Sequence, residues 1–128
     1  MGMAERHRWT GGVVIIVLLG LLGSSAAVCG QVPLAQTCLI LSAETGLALT
    51  VADAEAASLA DIVVQPVNGG AHQCWRLMPD RYGDAVAIVS LKSGLVVDVR
   101  GYSKRDGANV QQFRDFGSRN QRWHLTAA

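Results

Sequence analysis

The 128-residue chain has no excess of either charge: eleven Lys and Arg stand against ten Asp and Glu, for a formal net charge of +1. That near balance argues against a bulk polyanion such as nucleic acid as partner. No basic stretch interleaved with aromatics is present either. Histidine is scarce, and His7, His72 and His124 form no cluster. With no Cys-x-x-Cys pair and no Cys/His ligand spacing, no metal site is expected. No Gly-rich phosphate loop occurs, so no cofactor is expected. Ser90 and Ser103 have no base partner in a recognisable order. Asp98 and Asp106 are the obvious carboxylate pair for a glycosidase, but Asp106 falls in an Asp-Gly turn, where backbone reasons account for it. The usual machinery of catalysis is therefore missing, and a non-enzyme is expected.

The chain is long enough for one small domain. It begins with a targeting-like segment. Arg6 and Arg8 precede an apolar run from Gly12 to Gly23, and Ser24, Ser25, Ala26 and Ala27 follow as small residues suited to cleavage. The run is shorter than the roughly 20 residues a membrane span needs. Residues 1–27 thus read as a cleaved signal peptide or a retained apolar anchor helix, with 28–37 as a linker and the remainder secreted. Beyond residue 27 the acidic count is 10 − 1 = 9 and the basic count 11 − 2 = 9, so the exported part is neutral. It holds three cysteines, Cys29, Cys38 and Cys74. Export permits disulfides, and an odd count leaves one thiol over. Cys38 and Cys74 fall on predicted strands near the first and last of one repeat, which makes them the expected pair. The alternative is two buried free thiols.

The repeat appears when the chain is slid against itself by 94 − 46 = 48 residues. Gly46 then meets Gly94, Gln73 meets Gln121 and Trp75 meets Trp123. Ile40/Ile88, Ser42/Ser90, Leu47/Leu95, Val51/Val99, Ala60/Ala108, Gly69/Gly117 and Leu77/Leu125 follow without a gap. A period of this size marks repeated supersecondary units: repeat one over 38–78 and repeat two over 79–128. β-branched enrichment and intervening turn residues predict four short strands in each. In repeat one they cover Cys38–Leu41, Leu47–Val51, Ile62–Val67 and Cys74–Leu77. In repeat two they cover Ala85–Leu91, Leu95–Val99, Val110–Arg114 and Gln121–Leu125. Gly46 and Gly94 close tight turns that need positive φ. The Ala-rich stretch 52–60 reads as loop or a single helical turn.

Gln73-x-Trp75 and Gln121-x-Trp123 resemble the QxW motif that ends each repeat of ricin-type β-trefoil lectins, and SGLVVDV, DGANVQQF and NQRW follow in the family's order. The resemblance covers about Leu34 to Leu125. It implies an all-β, β-trefoil-like fold, here with two four-stranded repeats where the family has three. It also implies a carbohydrate partner, a galactose-like or plant-polysaccharide sugar. By the family pattern the binding residues are Asp98, Gln111, Phe113, Asn120 and Gln121, with Phe116 or Tyr102 as alternative platforms. The chemistry fits: a carboxylate accepts two hydroxyl hydrogens, an amide donates and accepts, and a flat ring covers the C–H face of a sugar. Phe113 is smaller than the Trp often found there, so weak binding is expected. Repeat one has Thr50, Val63, Gln65 and His72 at the corresponding places and reads as scaffold. Gln73, Trp75 and Trp123 read as structural, the Trp filling core and the Gln satisfying loop backbone. Two thirds of a closed barrel leaves open strand edges. Three repairs are conceivable: a homo-oligomer, a fragment that never closes, or a divergent piece that covers the gap. Repeat one is acidic and repeat two basic, a bias towards their meeting.

Overall fold

The computed structural model describes residues 14–18, 26–27, 37–81, 83 and 85–124. Nine strands occur among them: β1 Val14–Leu18, β2 Ala26–Ala27, β3 Thr37–Ser42, β4 Ala48–Val51, β5 Ile62–Gln65, β6 Trp75–Pro79, β7 Val86–Ser90, β8 Val96–Val99 and β9 Val110–Phe113. All pairings between strands are antiparallel. The sheet runs β2-β1-β3-β6-β7-β8-β9, and the β4/β5 hairpin branches from β3.

The repeat predicted from sequence is built into the backbone. β3, β4, β5 and β6 recur as β7, β8, β9 and a final bridge at Trp123. Positive-φ residues recur at the same offset of 48: Gly46 and Gly94, Asp53 and Gly101, Ala54 and Tyr102, Leu59 and Gly107, Gly69 and Gly117. Each hairpin turn is tied alike. The Gly94 amide donates to the Ser90 carbonyl at 2.9 Å and the Ser93 amide to Ser90 Oγ at 3.3 Å. In repeat one the Gly46 amide donates to the Ser42 carbonyl at 2.8 Å and the Thr45 amide to Ser42 Oγ at 3.3 Å. Glycine takes this left-handed turn position without a Cβ clash. Ala52–Ala54 forms a single 3-10 turn, as the Ala-rich stretch allowed.

The core lies between barrel strands and hairpin caps. Cys38, Ile40, Val51, Ile62, Trp75, Leu77, Val86, Ile88 and Val97 are buried together, with Trp123 packed against them. Both indoles do the same task. Trp75 Nε1 donates to the Leu49 carbonyl at 2.9 Å, and Trp123 Nε1 donates to the Val97 carbonyl at 3.2 Å. Each Trp therefore fills the core while its one polar atom finds a partner on the second strand of its repeat.

Three expectations change. Gln121–Leu125 is not a continuous strand where it is described. Arg119–Gln121 is a 3-10 turn, and only Trp123 pairs with Val86, through two 2.9 Å backbone bonds. The turn is what drops the Gln121 side chain beneath the preceding loop; Leu125 lies outside the described residues. Cys38 and Cys74 form no disulfide: both are buried free thiols. Cys38 lies directly opposite Trp75 in the β3–β6 register, so its side chain shares the core face with Trp75. Cys74, one residue earlier, points to the other face, where its Sγ donates to the Gly70 carbonyl at 3.6 Å. Within the N-terminal segment expected as a helix, Val14–Leu18 is instead a strand paired along β3 from Cys38 to Ser42. Its run of β-branched and Leu residues suits that pairing. The rest of that segment and Cys29 lie outside the described residues. No helix among the described residues is long and apolar enough to cross a membrane.

Candidate functional site

Asp98 and Gln111 are register partners on β8 and β9, so they project from one face of the hairpin. Phe113 is two residues beyond Gln111 on β9 and shares that face. The 3-10 turn Arg119–Gln121 brings Asn120 and Gln121 against Asp98 from the side. Gly101 and Tyr102, both at positive φ, form the opposing wall of a cleft of about 390 Å³. All five sequence-predicted binding residues line it, together with Phe116 and Ser118.

A buried carboxylate sits at its floor. Asp98 is 3% exposed and accepts three amide hydrogen bonds. Gln111 Nε2 donates to Oδ1 at 3.1 Å; Asn120 Nδ2 and Gln121 Nε2 donate to Oδ2 at 3.1 and 2.9 Å. A buried carboxylate needs such donors, since desolvation otherwise costs several kcal/mol. With roughly four acceptor positions on a carboxylate, Oδ1 keeps room for another donor. Beside it, Gln111 Oε1 is buried and has no hydrogen-bond partner. Among the described residues, Gln111 Oε1 is thus the one buried side-chain acceptor near the cleft that lacks a donor. Asn120 Oδ1 accepts from Ser118 Oγ at 2.7 Å, and Asn120 Nδ2 also donates to the Val99 carbonyl at 3.0 Å. Phe113 and Phe116 supply the apolar wall, their ring centroids 5.5 Å apart at 42°.

Gln121 is different in kind. It is fully buried. Nε2 donates to Asp98 and to the Arg114 carbonyl at 2.7 Å, and Oε1 accepts the Phe116 amide at 2.8 Å. Both amide hydrogens are therefore committed to holding the carboxylate and the loop. Gln73 does the same in repeat one: Nε2 donates to the Pro66 carbonyl at 2.8 Å and to Thr50 Oγ1 at 3.2 Å, and Oε1 accepts the Asn68 amide at 2.8 Å. Thr50 stands where Asp98 stands in repeat two, and Val63 replaces Gln111. The brace persists in repeat one; the carboxylate and its neighbouring amide do not.

Sequence reasoning missed Gln112. It points from the opposite face of β9 and is fully buried. Nε2 donates to the carbonyls of Glu55 and Ala57 at 3.1 and 2.6 Å, while Oε1 accepts from Ser93 Oγ at 2.9 Å. Backbone bonds from Gln112 N to the Ala60 carbonyl and from Leu59 N to the Gln112 carbonyl reinforce the grip. One strand therefore carries the cleft on one face and holds repeat one with the other. Its sequence counterpart is Val64, so the available signal was a break in the repeat. Nearby, Asp115 pairs with Arg122 at 3.0 Å. Partial burial alone would raise its carboxyl, but the bonds from Arg122 and the Gly117 amide outweigh this and hold it below the usual range.

Fold and cleft together define an all-β trefoil-like module whose second repeat carries a polar pocket walled by aromatics. The chain belongs to the family described as ricin-type beta-trefoil lectin domain-like, whose sequence model it matches over residues 33–113 and again over 80–128. No curated protein matches its sequence. Among solved structures it is similar to the designed 3-fold symmetric protein ThreeFoil, with 33% identity and a TM-score of 0.69 over 72% of this chain and 65% of that one. It is also similar to 1,3Gal43A, an exo-beta-1,3-galactanase from Clostridium thermocellum, with 30% identity and a TM-score of 0.69 over 82% of this chain. It spans only 22% of the galactanase. The cytolethal distending toxin of Haemophilus ducreyi shares the fold at 18% identity and a TM-score of 0.57, over 70% of this chain and 53% of that one.

Proposed function

We propose that repeat two binds a neutral, hydroxyl-rich sugar through Asp98, Gln111, Phe113 and Asn120, with Gln121 as the brace beneath them. The observation that carries this reading is the buried, unpartnered Gln111 Oε1 beside Asp98 Oδ1. Two adjacent acceptors in a cleft suit a vicinal pair of hydroxyls, each donating one hydrogen. Phe113 and Phe116 offer an apolar surface to the ring C–H groups. The similarity to a galactanase supports a galactose-like sugar. The cleft is open and its platform is phenyl rather than indole, so we expect dissociation constants near 1 mM, about −4 kcal/mol. We read the module as non-catalytic, because Asp98 is buried under three amides rather than poised beside a second carboxylate. We read the chain as exported, on the arginines and apolar run at its N-terminus.

Titration calorimetry against a neutral glycan panel tests the site. Phe113→Ala should weaken binding about fivefold, the equivalent of ~1 kcal/mol, with an unchanged far-UV spectrum. Failure of the folded protein to bind any panel sugar at millimolar concentration would overturn the reading. A second reading is self-association through open edges. It is favoured by the repeat count: the chain carries two Gln-x-Trp repeats where the family pattern has three, which leaves strand edges open. A sedimentation mass above that of a monomer is its expected outcome; a monomer at high concentration removes it.

A further inference from the structure

The neutral total charge conceals a sharp division between matched segments. Residues 100–122 hold six Lys and Arg against two Asp, 6 − 2 = +4. Their counterparts, 52–74, hold no Lys or Arg and three acids, Asp53, Glu55 and Asp61, for −3. Part of the excess stands next to residues that line the cleft, though no Lys or Arg lines it. Arg100 opens the 3-10 turn Arg100–Tyr102, whose last two residues form one wall. Arg119 opens the 3-10 turn that carries Asn120 and Gln121. Arg114 follows β9, and its guanidinium carbon lies 4.7 Å from the centroid of the wall residue Phe116. All three are exposed. Of the two acids in the segment, Asp115 already pairs with Arg122. Asp98, the carboxylate within the cleft, is buried under three amides. Repeat one has the same backbone without the cleft residues, and it places Ala52, Pro66 and Ala71 where these arginines stand. Arginines and cleft residues are thus present together in one repeat and missing together in the other.

We infer that the cleft selects an acidic glycan: the neutral hydroxyls of one sugar residue sit over Asp98 and Gln111, while a carboxylate or sulfate on that residue or its neighbour meets Arg100, Arg114 and Arg119. This rests on the carbohydrate reading above and amends its sugar from a wholly neutral one to one that also carries a negative group. The shared chemistry is an anionic oxygen cluster on a pyranose. Guanidinium groups suit it, since their planar fork matches carboxylate and sulfate oxygens. Arg114 is also held over a ring, which reduces the freedom it loses on binding. Because the arginines are exposed, their contribution must fade with salt.

The test compares matched oligosaccharides by titration calorimetry on the full chain. Galactotriose is set against trigalacturonic acid, a glucose-configured trisaccharide against its glucuronic counterpart, and a neutral galactose oligomer against its sulfated form. Oligothymidylate serves as a non-sugar polyanion. At 0.1 M NaCl at least one acidic probe should bind about tenfold tighter than its neutral partner. The ratio should fall to about twofold at 1 M, where the Debye length is near 3 Å. Whether the uronic or the sulfated probe gains more identifies the source of the charge. The triple variant R100Q/R114Q/R119Q should remove the preference and leave neutral affinity within twofold. Phe113→Ala should weaken neutral and acidic probes alike. Equal binding of neutral and acidic partners, or a preference that survives the triple variant, overturns the inference and leaves the neutral-sugar reading standing. Oligothymidylate binding as tightly as the acids also overturns it, because the charge would then be read without the sugar. No binding of any saccharide overturns both.

Discussion

Leu59 holds a φ of +73° where the matching residue of repeat two is Gly107, at +76°. A side chain in this region costs roughly 1–2 kcal/mol, and Leu59 is 55% exposed, so it gains little packing in return. Leu59→Gly should therefore raise stability by about 0.5–1 kcal/mol after the larger chain entropy of glycine is counted, read as a higher urea midpoint at constant slope. Cys38 offers a pH-dependent case. Burial, and then the neighbouring Cys74, push its thiol up to about 11 from 9.0. The folded state holds that proton more tightly, so the contribution is complete below about pH 9 and is lost as pH rises towards about 11. The difference in urea midpoint between the native chain and Cys38→Ala should shrink across that window; a difference that stays constant would contradict it. At this scale the sequence indicated which residues would gather at the cleft: Asp98 interrupts an apolar run, and Gln111 and Asn120 stand in the family's order. The Gln-x-Trp motif also pointed to a loop brace at Gln121, but not to its bond with Asp98, since hydrogen-bond partners are a property of the folded loop.

β9 shows what one short strand can do with two faces. Gln111 and Phe113 look into the cleft, and Gln112 looks the other way into the loop 52–60. Gln112→Ala would leave the Glu55 and Ala57 carbonyls and the Ser93 hydroxyl without that partner. We expect a loss of about 1–3 kcal/mol and faster hydrogen exchange at the Leu59 amide, with the β4/β5 hairpin itself intact. The hairpins were legible because Val- and Ile-rich runs alternate with Gly turns at a fixed offset. Gln112 was not, because consecutive glutamines give no polarity contrast between faces. The 3-10 turns before each Trp were hidden for a related reason: nothing in Arg119–Gln121 or Ala71–Gln73 signals that the chain must coil there to aim a glutamine inward.

Across the whole molecule the two tryptophans are unequal anchors. Trp75 is fully buried at the junction of β3, β6 and β7, whereas Trp123 is half-buried and held by a single bridge. Trp75→Ala should cost about 3–5 kcal/mol and Trp123→Ala distinctly less, both measurable by thermal melts followed at the remaining indoles. The two-unit plan was readable from the repeat, and its trefoil-like form from the resemblance carried by the two Gln-x-Trp motifs. The reduced state of Cys38 and Cys74 was not, because adjacent strand positions face opposite ways and spacing along the chain carries no face. The grip of Gln112 has a consequence for any attempt to cut the protein down. Residues 79–128 contain every residue that lines the cleft, yet the strand that carries Gln111 and Phe113 is held from behind by the loop of the other repeat. Such a minimal cassette would carry the right letters on a page with nothing behind it, and the smallest transplantable unit is the pair.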